Sequence, residues 1–131
     1  MEITMQEVLE LQPIYQIVKS KILPMKTSYK LAQLFKVIQE KFDFYQTQIN
    51  LIITEYGEKD ENGEFVQTEN DGIKIKSDKI VECQEKVNEL SGLKIEVPNI
   101  TFSFEELEPL ELTLEQFMFL IKFCAEEKAD S

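Results

Sequence analysis

Three features of the sequence predict an α+β fold: a mainly helical single domain with one long helix, a β-hairpin and a small two- or three-stranded antiparallel sheet. Apolar residues recur at helical spacing, without a miss, across residues 28–56. Residues 73–76 and 93–97 alternate apolar with polar side chains, as half-buried strands do. Hydrophobic residues make up 43% of the 131-residue chain, which supplies one core and hardly two.

The first helix is expected over 5–22. Thr4 and Glu7 have the spacing of a capping box. Val8, Leu11, Tyr15, Val18 and Ile22 then follow at spacings of three and four, on one helical face. Pro13 lacks an N–H and clashes with the preceding turn, which predicts a kink or a short break. Pro24 ends the segment, and Thr27 is placed to cap the long helix at 28–56. There Leu31, Phe35, Ile38, Phe42, Tyr45, Ile49, Ile52 and Tyr56 keep strict heptad phase. Leu34, Val37 and Leu51 widen the stripe beyond a two-helix seam, which favours packing within the chain over a pure coiled coil. Gly57 suits the left-handed position that closes a helix.

A charged turn follows, and Asn62-Gly63 is a hairpin signal. Glu64–Thr68 and Ile73–Lys76 read as the two strands of a hairpin over 64–76. Ser77 or Asp78 caps a helix over 78–91, with Ile80, Cys83, Val87 and Leu90 on one face and Gly92 as its stop. Leu93–Val97 is a strand that Pro98 ends or places at a sheet edge. Ser103 starts one helical turn, closed by Pro109. Thr113 and Gln116 form a second capping box. It opens a helix over 114–125 with Leu114, Phe117, Ile121 and Cys124 inward; residues 126–131 are expected to fray. No internal repeat or domain boundary is evident.

The residue types that are missing narrow the chemistry. All 14 cations are lysine, and arginine, histidine and tryptophan do not occur. Without histidine, serine or cysteine catalysis through an imidazole base is excluded. Without arginine there is no bidentate clamp for phosphate. Four glycines cannot build a phosphate-binding loop. Asp60–Glu64 has some likeness to a calcium loop, but the sixth position counted from Asp60 is Phe65, where that loop has glycine. Glu105, Glu106, Glu108 and Glu111 lie close together and could supply a carboxylate pair for glycoside hydrolysis, but no tryptophan is present to stack on a sugar, and acids at short helices serve more commonly as dipole partners. No enzymatic activity, cofactor or metal site is therefore expected. Cys83 and Cys124 both fall on apolar helical faces and read as free thiols of a reducing cytoplasm. No secretory leader and no membrane span are expected.

The net charge is −11, and its distribution is uneven. Residues 1–50 carry a net charge of +1, residues 51–131 one of −12. A basic footprint for nucleic acid is lacking, so the expected partner is another protein. The candidate partner-binding residues are Glu58, Asp60, Glu61, Glu64, Glu69 and Asp71, with Phe119 and Phe123. Phe44, Phe119 and Phe123 lie off the main helical seams, and Phe102 and Phe104 flank a loop, where exposed aromatic rings mark contact surfaces.

Lys26–Ala32 at the start of the long helix, Tyr56–Gly63 at its end and Leu112–Glu115 at the start of the last helix form a set. In these the chain resembles a family of small uncharacterised phage and prophage proteins, known only as a domain of unknown function. The resemblance implies a phage or prophage origin and transfers no activity and no site residues. Two roles are then expected. One is an accessory protein, active in the host cytoplasm, whose acidic half occupies the basic channel of a host defence nuclease. The other is a virion, assembly or chaperone component that uses the long heptad helix against a partner helix or in a homo-oligomer. Steep salt dependence marks the first, apolar copurification with virions the second.

Overall fold

The structure is a computed structural model and describes residues 1–70 and 72–124. Asp71 and the tail expected to fray at 126–131 lie outside the described residues. Where the sequence predicts one domain, the fold divides into two compact units, one built from Met1–Phe42 with the described residues from Lys94 onward, the other from Asp43–Leu93.

In the first unit, β1 (Glu2–Thr4) pairs antiparallel with β2 (Lys94–Glu96), and Ile3 lies opposite Ile95. Both isoleucines are buried while their neighbours face outward. The strand expected at 93–97 thus exists, but its partner is the N-terminal segment and not the hairpin. Three residues are too few to show a period of two, so β1 was invisible to pattern reading. Thr4 ends the strand and caps α1 (Met5–Glu10). Its hydroxyl accepts the Glu7 N–H, and the Glu7 carboxylate accepts the Thr4 N–H, which is the expected capping box.

The expected interruption falls at Leu11. Pro13 sits in the first turn of α2 (Gln12–Val18), where a missing N–H costs nothing. The break resets the helical phase. Met5, Val8, Leu11 and Ile14 are buried, whereas Tyr15 and Val18 are half-buried and Ile22, beyond the helix end, is fully exposed.

The long helix α3 (Met25–Tyr56) starts earlier than 28 and runs from the first unit into the second. Thr27 is inside it and buried rather than at its cap. Leu31, Leu34, Phe35 and Ile38 fill the core, with the Phe35 ring 5.4 Å from that of Tyr15. After β2 come α5 (Phe104–Leu107), a 3-10 turn at Glu108–Leu110, α6 (Leu114–Leu120) and a second 3-10 turn at Ile121–Phe123. Ser103 and Thr113 each open a helix through a capping box. α6 gives way to the 3-10 turn at Ile121, short of 125. Cys124 is then extended and bridges Phe102, whose N–H donates to the Phe123 carbonyl at 2.7 Å.

Glu106 ties this unit together. Its carboxylate accepts from Lys30 Nζ at 2.8 Å, from the Ser103 N–H at 3.0 Å and from the Thr27 hydroxyl at 3.3 Å. The lysine, then the Ser103 N–H, hold its pKa at about 2. A second pair joins Lys122 to Glu7. Burial raises the Glu7 pKa, but Lys122 and Thr4 together outweigh it and the net shift is downward.

In the second unit the residues after α3 do not form a simple hairpin. Gly57 bridges Ile75, Lys59 bridges Phe65 and Gln67 bridges Ile73. The Glu58 N–H donates to the Lys74 carbonyl, the Lys74 N–H to Val66, and the Val66 N–H back to Glu58, each at 2.8 Å. This is a closed ring of three residues spaced eight apart. The two expected strands are two sides of it, and the segment at 57–59 is the third. A repeat of eight in the backbone pairing therefore stands where the sequence shows none. The ring leaves no segment with an unpaired edge, which is how such short strands persist.

Gly57 does not take the left-handed conformation expected of it; among the described residues only Gly63 and Glu111 have positive φ. Gly57 is required by close approach instead. A Cβ there would lie 2.6 Å from the Ile53 carbonyl and 2.8 Å from the Phe65 ring. The unit ends with α4 (Ile80–Ser91), which buries Cys83 and Leu90 but leaves Ile80 exposed. Gly92 follows it in right-handed conformation.

Two outcomes are expected. Glu106→Gln should destabilise the fold by about 1–2 kcal/mol at pH 7. A carboxylate more acidic in the folded than in the unfolded chain stabilises above its unfolded value of ~4.3 and loses that contribution as pH falls through its folded value. The gap between wild type and variant in urea unfolding should therefore close as the pH approaches 2. Gly57→Ala should cost about 2 kcal/mol or more, because the obstructing carbonyl belongs to the helix backbone, and thermal unfolding should report it.

Candidate functional site

Of the eight candidate binding residues, the seven described ones divide between the two units. Glu58 is half-buried and pairs with Lys74 at 3.2 Å, so it secures the ring of residues 57–76 rather than facing a partner. Asp60 is exposed but structural: its Oδ1 accepts the Asn62 N–H at 2.8 Å and the Glu64 N–H at 3.1 Å, which holds the turn where Gly63 has φ 77°. Glu61, Glu64 and Glu69 are exposed with no ion pair among the described residues. Lys59 lies over the Phe65 ring, 5.2 Å from its centre. The ring thus presents free carboxylates on turns fixed by its own backbone bonds. Asp71 is outside the described residues.

Phe119 and Phe123 belong to the other unit. Phe123 is buried in its core, which corrects the expectation that it meets a partner, and Phe119 is half-buried. Of the remaining aromatic residues, Phe102 is fully buried and Phe44 and Phe104 are each 45% exposed. Glu106, one of the four clustered carboxylates, is committed to Lys30 and stays ionised well below neutrality. Burial raises both thiols, Cys83 and Cys124, and neither forms a disulfide.

Sequence reasoning missed an apolar surface in the first unit. Between α5 and α6 lies a groove of about 630 Å3, lined by Phe104, Leu107, Leu112, Leu114 and Phe117 together with Glu105, Glu108, Glu111 and Thr113. Its shape follows from local rules. The Ser103 and Thr113 boxes fix where each helix starts, and Pro109 holds the 3-10 turn between them. Glu111 reverses the chain in the left-handed region, φ 53° and ψ 51°, which costs a non-glycine residue about 1 kcal/mol. The rings of Phe104 and Phe117 then face each other, 6.1 Å apart and tilted by 53°.

The apolar surface continues along the helix. Leu114 is 78% exposed, Met118 60% and Ile121 58%, and with Phe117 they form one stripe at helical spacing. The sequence reading placed Leu114, Phe117 and Ile121 inward. The structure turns Leu120 and Phe123 inward instead. α6 is apolar on two sides, so periodicity does not choose between them; the bond from the Phe102 N–H to the Phe123 carbonyl pins the far end and does.

A second groove, of about 430 Å3, runs in the other unit between α3 and α4, with Phe44, Leu51, Ile52, Leu90 and Leu93 among polar neighbours. Among the described residues no helix is long and apolar enough to cross a membrane, and no cluster of carboxylates or thiols could hold a metal ion. No protein-family model, no curated protein and no solved structure matches the chain.

The orientation of α6 has a direct test. Leu120→Ala should cost about 2–4 kcal/mol, as a core truncation does, whereas Leu114→Ser and Met118→Ser should each change stability by less than about 0.5 kcal/mol in chemical denaturation.

Proposed function

We propose that the chain is a non-enzymatic phage or prophage accessory protein that acts in the host cytoplasm by binding another protein, as an acidic inhibitor of a host defence nuclease. The observation that carries this reading is the presentation of Glu61, Glu64 and Glu69 on a backbone-locked ring in the strongly acidic part of the chain. Carboxylates held on rigid turns can stand in for phosphates against a basic channel, because the ordering cost is met in folding rather than on binding. The missing histidine and arginine support a role without catalysis. The resemblance to phage proteins supports the setting.

A second reading has its own support. Phe44 and Leu51 leave an apolar face on the later half of α3, 45% and 58% exposed, which suits packing against a helix of a virion or assembly partner.

Salt separates the two. Binding to a basic nuclease should weaken at least about tenfold between low and physiological salt and should compete with the nuclease's own nucleic acid. Glu61, Glu64 and Glu69 reversed together to lysine should abolish it while circular dichroism stays unchanged; Glu58 and Asp60 must be kept, since both hold the ring. Undiminished binding by that variant would remove the nuclease reading. A salt-resistant complex lost on Leu51→Lys would favour the assembly reading.

A further inference from the structure

We propose that the groove between α5 and α6 is a docking site for an amphipathic helix of another protein, one that presents apolar anchors at helical spacing and lysine or arginine on its flanks. This surface belongs to the first unit and is separate from the acidic ring of the second. Its floor is apolar: Phe104, Leu107, Leu112 and Phe117. Leu114 and Met118 on α6 and Ile121 at the start of the following 3-10 turn extend the floor as a stripe, the geometry that receives side chains spaced at three, four and seven residues.

The rim decides the partner's charge. Glu105, Glu108 and Glu111 line the groove, Glu115 stands beside Leu114, and no cation is among the described lining residues. Of the lysines near α5, Lys30 pairs with Glu106, and Lys26 lines a neighbouring cleft with Glu105 and makes no ion pair among the described residues. Lys122 pairs with Glu7, and Lys21 reaches Glu111 only at 4.0 Å between two exposed side chains, a weak contact that an incoming cation displaces. A second copy would bring an identical acidic rim and a net charge of −11 against this one, which disfavours self-association. A basic helix both fills the floor and neutralises the rim.

The test uses the full chain and a labelled synthetic peptide of about four helical turns, leucine at anchor positions and lysine elsewhere, with a twin carrying glutamate for lysine. Fluorescence anisotropy should show the lysine peptide binding at least about tenfold more tightly than its twin. Leu114→Ser with Met118→Ser should weaken it by about tenfold or more, with folding unchanged by circular dichroism. Reversal of Glu61, Glu64 and Glu69 should leave it within about twofold, which separates this site from the acidic ring. Failure to bind the lysine peptide, equal binding of the two peptides, or loss that follows the ring variant and spares the groove variant would overturn the proposal. So would a dimer in sedimentation velocity that Leu114→Ser with Met118→Ser dissolves.

Discussion

The carboxylate of Glu106 accepts donors from two distant parts of the chain: Lys30 and Thr27 on α3, and the Ser103 N–H at the start of α5. It completes the capping box that begins α5 and also fixes that helix against α3. Lys30 reaches onward to the Thr101 carbonyl at 2.9 Å and lies 5.9 Å from the centre of the buried Phe102 ring. One ion pair thus places the segment from which the core residues Phe102, Leu107 and Leu110 descend. Charge-assisted bonds of this kind, partly screened from water, hold geometry better than exposed pairs do. The groove on the far side of α5 inherits its position from them.

The second unit solves a different problem. Three strand pieces of a few residues each are too short to stand as a sheet. They persist because each pairs with both of the others, so every piece supplies and receives a bond of the ring through Glu58, Val66 and Lys74. Gly57 is the point where helix and ring meet, and only a residue without a side chain fits between the Ile53 carbonyl and Phe65. The turns that close the ring carry the acids. The scaffold and the charge are therefore one feature, with Asp60 serving the turn and Glu61, Glu64 and Glu69 left to solvent.

The two surfaces differed in how far the sequence revealed them. The acidic turns were legible because charge and turn chemistry are local properties. Even so, the sequence did not tell Glu58, paired with Lys74, from Glu61, which has no ion pair among the described residues. The groove was not legible. It depends on Glu111 taking a left-handed conformation that no residue rule assigns to glutamate, and on which of two apolar sides of α6 turns inward. The burial of Phe123 follows from the same choice of side.

From the residues alone came the long helix, the capping boxes at Thr4 and Thr113, the break before Pro13 and the absence of imidazole and guanidinium chemistry. Each rests on spacing, on a side chain meeting its own backbone, or on composition, and none needs a distant partner. Tertiary structure alone decided that β2 pairs with Glu2–Thr4, that the hairpin closes into a ring, that Thr27 is buried against Glu106 rather than at a cap, and that α6 exposes the stripe the pattern placed inside. Those outcomes join residues far apart in the chain, and periodicity, which compares neighbours only, carries no information about them.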